Sequence, residues 1–528
     1  MRMIGKSVAM SMALLLTMPA AQAQTVEAKV EQGRLKGETR SGVTRFLGVP
    51  FAAAPVGSNR WRAPQPAAAW QGVRDATHFA ANCQQDVMGG NLGFNAWTPE
   101  YLIEGPVSED CLYLNIWVPA GTKNAAKLPV LYWIHGGGFM SGGTSVPVYD
   151  GAALAAQGVV VVSVNYRLGI YGFLAHPELA KEGDGSSGNY GLRDQIAGLE
   201  WVRKNIAVFG GDPAKVTISG QSAGSASVHD LILSPLAKGL FRGAIAQSGS
   251  GMGLNMPPRD VAEANGVRFQ QAAGATSLAE MRKLTPEQLS AAARKPDPAS
   301  AAMGLRFSPS ADGTVLPADP AAAARAGAYN NSPVLTGMVA DEGSSLAPDY
   351  YRPTNPDMYR GMVRQRFGAS ADAMLAAYPA DTPATSSPAL SRDRAIASML
   401  AWADERRATG SKPIYAYLFT HVEPGPDSAK YGAFHSSEIP YVFDTLDKSP
   451  DRGFTAEDRK IASTIGRYWI NFVKTGDPNG TGLVQWPVLD AQMKIMELGP
   501  FKTIPALSAE QMKLFRDYFK NGGQLSLF

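Results

Sequence analysis

Short apolar runs rich in β-branched and aromatic residues recur through the chain, each closing on a glycine- or serine-rich turn: Val130 to Ile134, Val159 to Val164, Val216 to Ser219, Ala244 to Ala246, Val334 to Thr336 and Ile414 to Phe419. A strand that is apolar at every position has both faces covered, the mark of a buried parallel sheet. Parallel neighbours need crossover connections, and helical spacing between the runs supplies them. Leu192, Ile196, Leu199, Val202 and Ile206 share one face, and that segment stops at Gly210-Gly211-Asp212-Pro213. The alternation predicts an α/β fold, an open and mostly parallel central sheet with helices on both faces.

With 528 residues, 45% hydrophobic and 18% charged, the chain has ample material for a large core. Residues 1–23 place Arg2 and Lys6 ahead of an apolar stretch from Val8 to Met18 and end on Ala21-Gln22-Ala23, the layout of a secretory signal peptide. Its removal takes two positive charges from the formal +3, leaving a near-neutral protein without basic blocks. Nucleic acid and acidic membrane surfaces are therefore not expected partners. No later stretch reaches the apolar length of a membrane helix. The two cysteines, Cys83 and Cys111, are a lone pair in a chain expected to be exported, which favours a disulfide over a metal or redox site.

No long linker or internal repeat divides residues 24–528, which read as one domain with helical insertions near 257–327 and 348–407. Both insertions are rich in Ala and Pro, and they are placed either to wall a pocket above the sheet or simply to pack against it.

Gly220-Gln221-Ser222-Ala223-Gly224 is a G-x-S-x-G pattern. Alone it is weak, but the apolar run Val216 to Ser219 leads in and a helical segment through Val228, Leu231 and Ile232 leads out. That puts Ser222 on a strand-to-helix turn, where flanking glycines permit the sharp bend and the helix start favours developing negative charge. A serine hydroxyl needs a base, usually an imidazole. Among the six histidines, three follow Ser222. His229 is two helical turns away, about 10 Å by helix rise, and is excluded. His421 and His435 both stay open. Asp341 and Glu342, after the run at Val334, compete for the acid that would hold the imidazole tautomer. Finally, His135-Gly136-Gly137-Gly138-Phe139 follows a strand directly, so its backbone N–H groups can approach a ligand and, with that of Ala223, stabilise an oxyanion. The loop lacks the Lys and following Ser or Thr of a phosphate-binding loop.

These residues, with Ser108 to Asn115, Asn165-Tyr166-Arg167, Gly188 to Gln195, Phe209 to Pro213, Asp341 to Ser344 and Thr475 to Asn479, resemble the type-B carboxylesterases, the family of bacterial para-nitrobenzyl esterases and animal cholinesterases. The resemblance spans nearly the whole chain after residue 23. It implies an α/β-hydrolase fold and hydrolysis of small-molecule carboxylic esters through Ser222, Glu342 and His435, with oxyanion donors at Gly137, Gly138 and Ala223. It also implies a Cys83–Cys111 bridge, structural ion pairs Arg60–Glu109 and Arg167–Asp194, and no metal or cofactor. The chain departs from the cholinesterases at Gln221, where they carry Glu, which counts against a choline ester. Trp97, between the two cysteines, is read as a pocket wall or as the remnant of an aromatic cation site.

Two other readings use the same residues. One is a non-catalytic binding relative, since this fold also hosts proteins that serve only in recognition; the other is an amidase or lipase with the same machinery. The natural ester, the oligomeric state and the choice between periplasm and medium are not encoded in these patterns.

Overall fold

The computed structural model describes residues 24–86, 96–249, 256–296 and 305–525. The signal peptide expected at residues 1–23 lies outside them. Among the described residues, thirteen strands form one sheet. Its centre is parallel and runs Val160–Val164, Leu128–Ile134, Gly211–Gln221, Gly243–Gln247, Val334–Val339, Ile414–Phe419 and Lys494–Leu498. All six apolar runs singled out above fall on these strands, apart from Val159, which precedes Val160–Val164 by one residue. On one side the sheet continues antiparallel through Tyr113–Pro119, Val43–Pro50, Gly33–Arg40 and Gln24–Val30, with Val73–Asp75 paired to Gly33–Arg40. On the other it ends on the antiparallel strand Lys502–Pro505.

Side chains alternate across a strand, so a doubly covered sheet must feed two cores. Val130, Tyr132, Ile134, Val160, Val162, Val164, Val216 and Ile218 pack into one. Leu131, Trp133, Val161, Ile245, Leu335, Tyr415, Tyr417 and Phe419 pack into the other. The helix Tyr190–Asn205 closes the first core with Leu192, Ile196, Leu199 and Val202. The helix Ala456–Thr475, started by a capping box between Thr455 and Asp458, closes the second with Ile461, Ile465, Trp469 and Phe472.

Between Gly243–Gln247 and Val334–Val339 the chain forms the helices Arg259–Ala272, Leu278–Met281, Pro286–Ala293 and Pro320–Arg325. Between Val334–Val339 and Ile414–Phe419 it forms Pro356–Phe367, Ala371–Ala377 and Pro383–Ala408 among others. Parallel order places the carboxyl ends of the central strands along one edge of the sheet, and the loops that leave them there are where open α/β sheets position reactive groups.

Candidate active site

The longest central strand, Gly211–Gln221, runs directly into the helix Ala223–Leu233, and Ser222 is the single residue between them. Its φ of 59° and ψ of −124° place it in backbone space that a non-glycine residue rarely enters, so the surrounding structure must enforce the turn. The Ser222 N–H donates to Gln247 O of the neighbouring strand at 2.9 Å. The flanking glycines leave no room for a side chain. A Cβ on Gly220 would stand 2.4 Å from Gly224 O, and one on Gly224 would stand 2.1 Å from Ile134 O.

The glycine loop abuts this turn. A Cβ on Gly136 would lie 2.7 Å from Gln221 O and 3.1 Å from the Cβ of Ser222. Gly137 and Gly138 follow at φ 106° and 63°, left-handed values that suit glycine, and a Cβ on Gly137 would strike Ser141 O at 2.1 Å. His135, at the head of the loop, is buried, and desolvation pushes its imidazole down to about 4, so it is neutral near pH 7. Its ring stacks on Tyr166, whose hydroxyl donates to His135 O at 2.9 Å. Ala223 is the first residue of its helix, one of the positions whose N–H finds no partner within the helix itself.

Glu342 and His435 are each 3% exposed and touch one another, His435 Nδ1 against Glu342 Oε2. The other carboxylate oxygen, Oε1, accepts from the Val339 N–H at 3.1 Å. When Nδ1–H donates to Glu342, that tautomer of the imidazole carries its lone pair on Nε2. That nitrogen accepts from the side-chain amide of Gln221 at 3.2 Å, so it faces the turn that carries Ser222.

The two competing residues have other work. Asp341 Oδ2 accepts from the Ala433 N–H at 3.1 Å and Oδ1 from the Tyr351 hydroxyl at 3.0 Å, while its own N–H donates to Ala433 O at 2.9 Å. Asp341 thus ties the loop after Val334–Val339 to the loop that carries His435. His421 pairs through Nε2 with Asp458 Oδ1 at 2.7 Å, and His229 is buried edge-on against Trp402. Sequence patterns had not singled out Glu438, which lies buried near Glu342 and accepts from the Gln247 side chain at 3.4 Å. Burial, reinforced by the Glu342 charge, pushes its carboxyl up to about 7.

The framework around these residues is tied by charge and sulfur. Cys83 and Cys111 are bridged, with Cα atoms 4.8 Å apart. Arg60 grips Glu109 through two contacts of 2.6 Å, and Arg167 grips Asp194 at 2.8 and 2.7 Å. Trp97, within the bridged loop, sets its ring edge-on to those of Phe434 and His435, with centroids 6.5 Å away in both cases. Among the described residues no group of three or more His, Cys, Asp or Glu side chains is arranged to hold a metal, and no helix is long and apolar enough to cross a membrane.

Comparison with known proteins gives this arrangement a family. The model of the carboxylesterase family matches residues 22–515. The chain is 38% identical over 507 residues to the fumonisin B1 esterase of Sphingopyxis macrogoltabida, covering 91% of this chain and 89% of that one. It is 35% identical to the para-nitrobenzyl esterase of Bacillus subtilis (strain 168), covering 87% and 91%, and 33% identical to the cocaine esterase of Oryctolagus cuniculus, covering 90% and 92%. A solved PNB esterase structure superposes with a TM-score of 0.78 at 33% identity, covering 93% of this chain and 99% of the other. The chain therefore belongs to the carboxylesterase family, has the α/β-hydrolase fold, and is a carboxylic ester hydrolase acting on small esters.

Proposed function

We propose that the protein hydrolyses esters in two acyl-transfer steps through Ser222, His435 and Glu342. The observation that carries this reading is the His435 imidazole, which is held by Glu342 on one nitrogen and turned with the other toward the Ser222 turn. In the first step the Nε2 lone pair takes the Ser222 proton as Oγ attacks the ester carbonyl, and Glu342 stabilises the imidazolium that forms. The tetrahedral oxyanion lies against the N–H groups of Gly137, Gly138 and Ala223, which need no reorganisation as charge develops. The imidazolium then protonates the leaving alcohol. Water, deprotonated by the same nitrogen, frees the acid from Ser222.

Gln221 is neutral where a carboxylate would add negative charge beside the imidazole, which disfavours cationic alcohols such as choline. In this reading residues 1–23 are a cleaved signal peptide, and the protein works outside the cytoplasm, where the Cys83–Cys111 bridge persists. In the same reading residues 257–327 and 348–407 are helical insertions in the hydrolase domain, placed to wall the ester pocket.

The test is hydrolysis of para-nitrophenyl esters from acetate to octanoate by the wild type and Ser222→Ala in parallel. Turnover that collapses in the variant supports the reading, and the chain-length profile maps the acyl pocket. Equal turnover by both proteins contradicts it.

A further inference from the structure

Trp97 meets the His435 ring from a loop whose anchor lies far away in sequence. The residues flanking Trp97 are held by Arg452, in the short turn Pro450–Arg452. The guanidinium donates through Nη2 to Ala96 O at 2.8 Å and to Thr98 Oγ1 at 2.6 Å, the residues on either side of Trp97. Its Nε contacts Glu100 Oε1 at 2.7 Å and Glu423 Oε1 at 3.0 Å. The same planar group lies over the rings of Tyr101, at 5.4 Å, and Phe434, at 5.6 Å. Tyr101 closes the cluster by donating its hydroxyl to Glu423 Oε2 at 2.9 Å.

The geometry is that of a clamp. One fork-shaped cation binds the bridged loop on both sides of Trp97, and its face covers Phe434, the residue before His435. Only a guanidinium can do this, because its donors point in several fixed directions while its face stays free to stack. The side chain is 11% exposed, so these contacts are made largely out of water. A cavity of about 670 Å³ borders Trp97, Phe434, Tyr431, Glu423 and Arg452. Space on that side leaves the indole room to swing if the backbone around it were released.

We propose that Arg452 is a positioning residue for ester binding: it fixes the backbone around Trp97 and so holds the indole as a wall beside His435. This rests on the assignment of His435 to the active site. Arg452 touches no reacting atom and acts through Trp97. Loss of a wall met by substrate and transition state alike raises KM more than it lowers kcat.

The experiment is a double-mutant cycle on the full-length enzyme with para-nitrophenyl butyrate, combining Arg452→Lys and Arg452→Met with Trp97→Ala. Lysine keeps a cation beside Glu100 and Glu423 and so protects folding, but cannot span Ala96 O, Thr98 and both carboxyl groups together. Arg452→Lys is expected to raise KM about five- to tenfold with kcat changed less than about twofold, and to have no further effect once Trp97 is alanine. Arg452→Met should show the same dependence on Trp97 with a larger change in KM. Equal effects of Arg452→Lys with and without Trp97, or an unchanged KM in Arg452→Lys, would overturn the proposal. Ser222→Ala, assayed alongside, separates the two claims: activity that survives it removes the site assignment itself. Activity lost in Ser222→Ala together with an additive cycle removes only the role of Arg452.

Discussion

Glu342 and His435 are 93 residues apart in the chain, yet their side chains meet in the interior, where each is 3% exposed. A carboxylate in that position fixes which nitrogen carries the proton and, in the proposed first step, stabilises the imidazolium as it forms. Glu342→Gln keeps the shape but loses the charge and can reverse the tautomer. It is expected to lower kcat by roughly 10³- to 10⁴-fold with little change in KM or melting temperature, measured by steady-state kinetics and thermal unfolding.

The turn at Ser222 depends on glycines that no other residue can replace. Gly224→Ala drives a Cβ toward Ile134 O, which lies 2.1 Å from the ideal Cβ position on the strand leading to the glycine loop. The variant should lose about 1–3 kcal/mol of stability and at least about a hundredfold in kcat/KM, because relief must displace either Ser222 or that loop. Gly361→Ala is the matching control. It lies within the helix Pro356–Phe367 with nothing near the new methyl group, and should gain about 0.5–1 kcal/mol with activity retained.

Arg167 and Asp194 form a buried pair with Asp194 fully shielded from solvent. Burial outweighs the arginine at this site, and the Asp194 carboxyl is raised above its ordinary value even with its partner in place. Removing the arginine strands that carboxylate. Arg167→Met should cost about 3–5 kcal/mol, read as a lower urea midpoint.

Four buried groups give stability a defined pH profile. Burial pushes Glu423 up to about 8 and Glu438 up to about 7, so the native state holds protons that the unfolded chain has released above about 4.5. Their stabilisation is complete below that value and is lost as pH rises through 7 and 8. Burial pushes His135 and His229 down to about 4 and about 3, so the unfolded chain gains protons below about 6.5 that the native state refuses. Their contribution is lost as pH falls from 6.5. The two pairs oppose each other between about pH 5 and 6, and of these four groups only the glutamates act above 6.5. Melting temperature should therefore fall from pH 6.5 to 8.5, with a shallower slope in Glu438→Gln. An identical slope in that variant would contradict the assignment.

What could be read in the sequence follows how far each signal reaches along the chain. The six central runs are legible because both faces are buried and every position is apolar. The strand Gly33–Arg40 gives no such run: it lies toward the edge of the sheet with a largely polar sequence, and only Leu35 and Gly37 are buried. The Ser222 turn is a local pattern and can be read directly. The partners of His435 are not, because the contacts that occupy Asp341 and His421 come from Ala433, Tyr351 and Asp458, which spacing does not connect; family resemblance supplied that choice. Arg452 left no trace in any pattern, since it reaches Glu100 across 352 residues and lies in a short turn.

The most direct test of the central claim is to trap the acyl-transfer step on the chain. A para-nitrophenyl alkylphosphonate is attacked at phosphorus by an activated serine, forming an O–P bond and expelling para-nitrophenolate. Peptide mass spectrometry should then find one phosphonyl group per protein, on the peptide bearing Ser222, with labelling slowed in Glu342→Gln and absent in Ser222→Ala. A label on another residue, or none under conditions where para-nitrophenyl esters are turned over, would contradict Ser222 as the nucleophile.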